Sequence, residues 1–323
     1  MSGARATHWA DMGESTFAAG LWLLYGVHRL FGRLPLRLLL YPVVTYYWLT
    51  QPVARRASQD YLQRMQAAHG VIGERPGWRH SLRHFLSFAE TIADKTLAFS
   101  GRYRFDHVRY AGRDLMDALI ARGQGALLVT AHMGCLELCQ AAADRQDGLK
   151  LTVLVHTRHA ERFNRVLRRL NPQSTVNLLQ VTEVDAATAV MLAQRVAAGE
   201  FVAIAGDRVP VTRSKTTTAR FLGQDAAFPV GAYVLASLIK CPLLLLGCIR
   251  EGRGHLVSFE LLAERVALAR GRRDEGIAAL AAVYAQRLEA LLVKAPYDWF
   301  NFFPFWAAPS TALAPTLSPE ATP

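Results

Sequence analysis

The chain has 323 residues, 51% of them hydrophobic, which is enough apolar material for the core of an enzyme-sized globular protein and excludes a disordered chain. Lysine and arginine number 37 against 26 acidic residues, so the formal net charge of +11 favours anionic partners such as membrane surfaces, nucleic acid or acidic carrier proteins. The cysteines form no CxxC pair, which excludes a dense disulfide scaffold and favours free thiols in a reducing compartment; they are Cys135, Cys139, Cys241 and Cys248.

The N-terminal region combines short apolar runs with positive charges. Residues 1–16 carry both acids and bases and lack the cleavage pattern of a signal peptide. From Phe17 to Thr50 two apolar runs are separated by basic residues, and neither reaches the roughly 20 residues that a membrane-spanning helix needs. Aromatic residues among the arginines favour an amphipathic helical arm, residues 1–57, that lies in a membrane interface. A helical hairpin packed on the core is the alternative interpretation.

From Gln51 onward the pattern alternates between helices and strands. The stretch QDYLQRMQAAHG predicts a helix that ends at Gly70. Strands are predicted at 126–131, 151–156, 176–181, 201–205, 243–249 and 255–261, and helices from near 134 and over 160–170, 185–198, 230–240 and 274–294. This order predicts an α/β fold with a central, mostly parallel or mixed sheet flanked by helices, in one domain over residues 58–309. Residues 310–323 are rich in Pro, Ala and Thr and are predicted to form a disordered tail.

The stretch LLVTAHMGCLEL, residues 127–138, places a histidine just past a predicted buried strand and a glutamate five positions later. Ligands of open α/β sheets bind at the carboxyl ends of strands, so His132 is a candidate catalytic residue. It can meet Glu137 if the histidine lies in the loop and the glutamate in the first helical turn, where the helix dipole favours a carboxylate. A carboxylate bonded to one imidazole nitrogen leaves the other free to take a proton from a substrate hydroxyl. A buried structural histidine beside a helix-capping glutamate is the alternative.

Polar and basic side chains follow other predicted strands. Asp207 and Arg208 follow the strand at 201–205 and are expected at the same end of the sheet as His132, where an arginine can bind phosphate or carboxylate in a bidentate manner. A structural ion pair is the alternative. Arg158, after the second strand, and Arg220, in a basic loop, are further candidates for substrate binding; a polar strand end and a solvated loop are the respective alternatives.

The order of these motifs resembles that of the bacterial lipid A late acyltransferases, a branch of the lysophospholipid acyltransferase superfamily. AHMGCLEL, residues 131–138, is similar to the AHxGxxE block that contains the catalytic HxxxxD/E signature of that superfamily. IAGDR, residues 204–208, resembles the second block, although Asp207 and Arg208 stand where this branch has an acidic residue followed by glutamine. Residues 219–250 resemble the block with Phe-x-Gly, Pro-x-Gly and a following helix and strand. Together the matches cover roughly residues 127–250.

Two glycines and a proline in the third block are the remaining site candidates. Gly223 and Gly231 permit backbone conformations that other residues avoid, and Pro229 stiffens the approach to the next helix. The segment is predicted to shape an acyl pocket, with ordinary turn chemistry as the alternative. The aromatic run WFNFFPFW, residues 299–306, is interpreted as a seal of the core and is not counted among the site residues; contact with an acyl chain or the bilayer is the alternative.

The resemblance implies a peripheral or monotopic acyltransferase on the cytoplasmic face of the bacterial inner membrane. Such an enzyme moves a fatty acyl group from acyl carrier protein or acyl-CoA to a hydroxyl of a lipid or glycolipid, with His132 as general base and Glu137 orienting it. This chemistry requires no cofactor and no metal. The sequence has no P-loop, dinucleotide fingerprint or nucleic-acid-binding motif, so no nucleic acid is expected as a partner. A lysophospholipid acyltransferase and a non-catalytic lipid-binding protein of the same fold are the alternatives.

Overall fold

The computed structural model describes residues 26, 33–99, 103–143, 149–155, 176–180, 185–209, 215–269 and 271–307. The strands within these ranges are β1 (Val108–Ala111), β2 (Leu127–Thr130), β3 (Leu151–Val155), β4 (Val176–Gln180), β5 (Phe201–Ala205), β6 (Thr216–Phe221), β7 (Gln224–Pro229), β8 (Leu243–Glu251) and β9 (Gly254–Ala263). The helices are α1 (Arg33–Thr50), α2 (Pro52–His69), α3 (Trp78–Phe99), α4 (Arg113–Ala121), α5 (Glu137–Ala143), α6 (Ala186–Ala197), α7 (Gly231–Ile239) and α8 (Arg273–Lys294).

Seven of these strands form one mixed sheet in the order β1-β9-β8-β2-β5-β3-β4. Strands β8, β2, β5, β3 and β4 run parallel to one another, whereas β9 is antiparallel to β8 and pairs with β1 in parallel. Strands β6 and β7 form a separate antiparallel hairpin. The predicted α/β fold with a mixed central sheet is therefore confirmed.

Helices cover both faces of the sheet. Leu127 and Val129 of β2 belong to a buried cluster that includes residues of α6, α7 and α8, whereas Leu128 belongs to a second cluster with residues of α4 and α5. A strand buried on both faces reads as a continuous apolar run, which explains why β2 and β5 were visible in the sequence. The carboxyl ends of these two parallel neighbours meet at one edge of the sheet.

Some elements were not predicted. Strands β1, β6 and β7 and helices α3 and α4 are absent from the sequence interpretation, and β6 replaces part of the predicted basic loop. The predicted helix near residue 134 begins instead at Glu137. The helix predicted over residues 160–170 lies outside the described residues. Short, half-exposed strands such as β6 lack a continuous apolar run, so their pattern is weak.

The N-terminal helices pack on the domain through one face only. Leu40 and Val44 of α1 form a buried cluster with Phe85 and Ala89 of α3. The other side of α1 exposes large apolar and aromatic residues: Leu38, Leu39, Tyr41, Val43, Tyr46, Tyr47 and Leu49. Helix α2 ends at Gly70 in the left-handed conformation, as predicted, and it runs through the expected domain boundary after residue 57.

Helix α8 is long and apolar enough to cross a membrane by length and composition. It has seven buried residues, all of which belong to the main core cluster: Ile277, Ala281, Tyr284, Ala285, Leu288, Leu291 and Leu292. The Tyr284 hydroxyl donates to the carbonyl of Thr130 at the end of β2, 2.9 Å away. Helix α8 therefore supports the central sheet, and the chain after it returns to the carboxyl end of β2.

Candidate functional site

The register of β2 and β5 places a histidine beside an aspartate. Thr130 of β2 pairs with Ala205 of β5, and the amide of Gly206 continues the ladder by donating to the Thr130 carbonyl at 2.8 Å. His132 and Asp207 each lie two residues beyond this pair. In parallel strands, equal offsets beyond a paired position bring side chains to the same level, so these two residues meet at the edge of the sheet.

His132 is bound to Asp207 through both its ring and its main chain. The Nδ1 atom lies 2.8 Å from Oδ1 of Asp207, and the His132 amide donates to Oδ2 over 2.9 Å. Since an ionised carboxylate only accepts hydrogen bonds, Nδ1 carries the proton and Nε2 has the free lone pair. The histidine side chain retains 35% of its exposure, whereas that of Asp207 has none. No described residue forms a hydrogen bond with Nε2.

Asp207 is surrounded by hydrogen-bond donors. Besides the two bonds from His132, its Oδ2 atom accepts from the Trp299 indole at 3.0 Å and from the Asn301 amide at 2.9 Å. Burial alone would raise the pKa of Asp207, but the charge and hydrogen bonds of His132, together with the Arg208 charge, lower it to about 2. The carboxylate is therefore ionised at neutral pH and held in one orientation.

The segment Asp298 to Asn301 forms the second wall of this site. It runs antiparallel to the turn after β2: Met133 and Trp299 form a bridge, the Phe300 amide donates to the His132 carbonyl at 2.8 Å, and the Gly134 amide donates to the Asp298 carbonyl at 2.8 Å. The aromatic run thus contains donors to Asp207 as well as core residues. The prediction that this run seals the core is confirmed, and its contact with Asp207 was not predicted.

The turn after His132 is fixed by its close approach to β8. Gly134 has a φ of +44°, and a Cβ atom there would lie 1.8 Å from the carbonyl oxygen of Cys248. No side chain fits in this position, which accounts for the glycine between the histidine and the glutamate. The backbone path also delays the start of α5 until Glu137.

Two cations modify the electrostatics of His132. Burial lowers the pKa of its imidazole, the positive charges of Arg208 and Lys95 lower it further, and Asp207 raises it by a smaller amount. The Arg208 guanidinium donates from Nε to Asn301 Oδ1 at 2.7 Å and from Nη2 to the Phe300 carbonyl at 2.9 Å. His132 is therefore neutral at pH 7, as a general base requires.

The predicted pairing of Glu137 with His132 is corrected by the structure. The carboxylate on Nδ1 belongs to Asp207, and Oε1 of Glu137 forms an ion pair with Nζ of Lys95 on α3, 2.8 Å away. Burial alone would lower the pKa of Lys95, but the charge and hydrogen bond of Glu137, together with Cys135, outweigh burial and raise this pKa. Since α5 begins at Glu137 and packs on α3, the first helical turn brings this carboxylate to Lys95. Its Oε2 atom is buried with no partner among the described residues.

Four of the remaining predicted site residues lie on the β6–β7 hairpin or at the start of α7. Arg158 is outside the described residues. Arg220 is exposed on β6 and pairs in register with Asp225, while Gly223 lies in the exposed turn of the hairpin. Pro229 ends β7 and Gly231 begins α7. In the part of the chain that the structure describes, none of the latter four residues bonds to His132 or Asp207.

Within the described ranges, no cluster of three or more His, Cys, Asp or Glu side chains is arranged to hold a metal ion. The four cysteines are buried and free. Three residues that bind the carboxylates of Asp207 and Glu137 were not among the predicted site residues: Trp299, Asn301 and Lys95. The sequence contained one signal for the role of Trp299: the indole N–H of a buried tryptophan needs a hydrogen-bond acceptor. In the structure this acceptor is Asp207.

A family model described as bacterial lipid A biosynthesis acyltransferase matches residues 88–307 of the chain, which is more than half of its length. The matched region contains His132, Glu137, Asp207, Trp299 and Asn301, and it begins within α3. A comparison with curated proteins finds no match.

Proposed function

The chain belongs to the family of bacterial lipid A biosynthesis acyltransferases, and from this premise we propose that it transfers a fatty acyl group from an acyl thioester to a hydroxyl of a lipid or glycolipid. The observation that carries the proposal is the pair formed by His132 and the ionised, fully buried Asp207. The Nε2 atom of His132 has no partner among the described residues and lies at the carboxyl end of the sheet strands, where substrates of α/β enzymes bind.

The reaction uses His132 twice. Its Nε2 atom takes the proton of the acceptor hydroxyl as the hydroxyl oxygen attacks the thioester carbonyl carbon, and a tetrahedral oxyanion forms. Asp207 stabilises the resulting imidazolium through the Nδ1 hydrogen bond. When the carbon–sulfur bond breaks, the thiolate takes the proton from Nε2, so the products are an ester and a free thiol. The enzyme ends each cycle with neutral His132.

The oxyanion is stabilised by a lysine side chain and not by backbone amides. The amides of His132, Met133 and Gly134 already donate to Asp207, to the Ala131 carbonyl and to the Asp298 carbonyl. They are thus engaged within the protein. Lys95 is held by Glu137 near enough to His132 for its charge to affect the histidine, and we assign it the stabilisation of the developing negative charge. Glu137 then serves the reaction through Lys95.

The donor is acyl carrier protein or acyl-CoA. Both are anionic, and both suit a chain with a formal net charge of +11. Arg208, Arg158 and Arg220 remain the predicted contacts for anionic groups of donor or acceptor, and Gly223, Pro229 and Gly231 the predicted shape of the acyl pocket. Two hydrogen bonds, to Phe300 and Asn301, hold Arg208 in place, and we give its charge an additional electrostatic role beside His132.

The proposed location is the cytoplasmic face of the bacterial inner membrane, with α1 lying on the bilayer surface. The exposed side of α1 is apolar and aromatic, with Leu38 72%, Tyr46 65% and Leu49 58% exposed. Nearby, the guanidinium of Arg55 lies over the ring of Trp48, and that of Arg79 over the exposed ring of Trp78. Tryptophan and arginine side chains of this kind are typical of a membrane interface.

The decisive experiment is acyl transfer by the purified full-length protein. Labelled acyl carrier protein and labelled acyl-CoA are supplied separately with a bacterial lipid extract, and the product is identified by mass spectrometry. His132→Ala is expected to lower turnover by at least about 10²-fold, because a placed general base typically contributes roughly 10²–10⁴-fold. His107→Ala is the matched control, since His107 is exposed and lies outside the site.

The outcomes separate the function classes. A labelled lipid that disappears in His132→Ala but not in His107→Ala supports the proposal, and its acceptor distinguishes a lysophospholipid from a glycolipid. Full activity of His132→Ala contradicts the mechanism. If neither donor gives a product while the folded protein binds liposomes, the non-catalytic lipid-binding alternative replaces the proposed function.

The membrane surface has a separate test. Flotation with anionic liposomes compares the wild type with a triple variant, Leu38→Glu, Tyr46→Glu and Leu49→Glu, and with the control Val190→Glu and Leu238→Glu, which alters similarly exposed residues of α6 and α7. Loss of apolar contact is expected to lower the partition of the triple variant by at least about 10-fold. Equal flotation of all three proteins would remove α1 from the membrane surface.

A further inference from the structure

A buried serine and a buried histidine connect the N-terminal helices to the site. Ser58 on α2 and His84 on α3 have no exposed surface. The Ser58 hydroxyl lies 3.0 Å from His84 Nδ1, and His84 Nε2 lies 2.7 Å from the carbonyl oxygen of Trp299. Both residues precede residue 88, where the family match begins.

The partners determine the protonation of His84. A carbonyl oxygen only accepts, so Nε2 must carry the proton and donate to Trp299. The Nδ1 atom is then an acceptor, and the Ser58 hydroxyl donates to it. Burial lowers the pKa of His84 to about 4, so the ring is neutral at pH 7. The Trp299 carbonyl thus selects the tautomer with the proton on Nε2, and the Ser58 hydroxyl satisfies the lone pair on Nδ1.

The position of Trp299 affects the reacting histidine through Asp207. The Trp299 indole is enclosed by aromatic rings, with centroid distances of 5.0 Å to Tyr61, 5.3 Å to Phe221 and 4.8 Å to Phe305. Its N–H group donates to the same Asp207 oxygen that accepts the His132 amide. A shift of the Trp299 main chain therefore changes the orientation of the Asp207 carboxylate.

We propose that Ser58 and His84 are positioning residues of the acyl-transfer site, because they fix Trp299 and, through it, the Asp207 carboxylate that orients His132. The inference rests on the proposed function for its kinetic consequences. Its structural consequences, the indole hydrogen bond of Trp299 and the titration of His132, are measurable without any substrate. Failure of the function and failure of this inference are thus distinguishable.

The main test compares His84→Gln with His84→Phe. The glutamine amide replaces the Nε2 donor, whereas phenylalanine keeps the ring packing against Tyr61 and Phe302 but has no donor. His84→Phe is expected to lower kcat by about 10- to 100-fold with KM unchanged, the size of effect expected for a small displacement in a site. His84→Gln is expected to restore kcat to within a few fold. His80→Phe, on the more exposed side of α3, is the matched control.

The spectroscopic arm uses the indole N–H signal of Trp299 in ¹H–¹⁵N spectra, assigned with Trp299→Phe among the six tryptophans. His84→Phe is expected to move this signal and the pH titration of His132, and His80→Phe to move neither. If His84→Phe does not fold, Ser58→Ala decides, since it removes only a hydroxyl and is expected to move the same signals less. Unchanged signals and unchanged kcat in a folded His84→Phe or Ser58→Ala variant would overturn the inference.

Discussion

Asp207 and Glu137 follow the neighbouring strands β5 and β2, and the two carboxylates differ in burial and in their partners. Asp207, in the turn after β5, is fully buried and accepts hydrogen bonds from His132, Trp299 and Asn301. Glu137, at the start of α5, keeps 17% of its side-chain exposure and has one ion pair, with Lys95. Among the described residues, one carboxylate is thus held by several hydrogen-bond donors and the other by the ammonium group of Lys95.

The difference shows which carboxylate is built to orient a base. An orienting group must be ionised and fixed before the reaction, and the donors around Asp207 achieve both, with a pKa of about 2. Glu137 instead restrains a lysine near the same histidine. The carboxylate closer in sequence to His132, that of Glu137, was therefore the wrong partner for the imidazole, which is bound to Asp207.

The largest expected effect comes from removing the charge of Asp207. Asp207→Asn removes the charge that stabilises the imidazolium and is expected to lower kcat by about 10³-fold. The measurement is single-turnover acyl transfer with a thermal melt to confirm folding. A variant that retains more than a tenth of the wild-type rate would contradict the assignment of Asp207.

A smaller loss of kcat is expected from changes to Lys95 and Glu137. Lys95→Met removes the cation assigned to the oxyanion and is expected to cost about 10²-fold in kcat. Glu137→Gln leaves the cation but loosens it, and about fivefold is expected because a partly exposed ion pair contributes about 1 kcal/mol. In the double variant the effects should not add, since Glu137 acts through Lys95. Additive losses would mean that Glu137 has an independent role.

The smallest effect is a displacement of the pH profile. Activity requires neutral His132, so it is lost as the pH falls through the pKa of this residue, which lies below its ordinary value of 6.5. Asp207→Asn removes a charge that raises this pKa, and the acid limb should move to lower pH. Arg208→Gln removes a charge that lowers it, and the limb should move to higher pH. Profiles of kcat/KM decide this, and shifts in the same direction would contradict the electrostatic account.

Much of the sheet was predictable because its central strands are buried on both faces. β2 and β5 read as continuous apolar runs, and the polar residues after them, His132 and Asp207, were correctly placed at one edge. The hydrogen-bonded pair of His132 and Asp207 was not predicted. Strands β3 and β4 separate β2 from β5 in the sequence, and the order of strands in a sheet is a non-local property. Once the register of β2 and β5 is known, the contact between His132 and Asp207 can be inferred, because each residue lies equally far beyond a paired position.

The contribution of Trp299 and Asn301 was hidden for a different reason. These residues lie 92 and 94 positions after Asp207, and the aromatic run that contains them has the composition of an ordinary core segment. A segment that only packs in the core and one that also donates hydrogen bonds to Asp207 have the same sequence pattern here. The pattern alone therefore does not show which role these residues have. Only the return of the chain after α8 brings the indole N–H to the carboxylate.

The most direct test of the central claim is observation of the His132 Nδ1 proton by ¹H–¹⁵N NMR of the imidazole in the wild type, Asp207→Asn and Glu137→Gln. The Asp207 pairing predicts a downfield, exchange-protected Nδ1–H signal in the wild type and in Glu137→Gln that disappears or moves strongly upfield in Asp207→Asn. A signal that persists unchanged in Asp207→Asn and disappears in Glu137→Gln would contradict the account and return Glu137 to the position of catalytic partner.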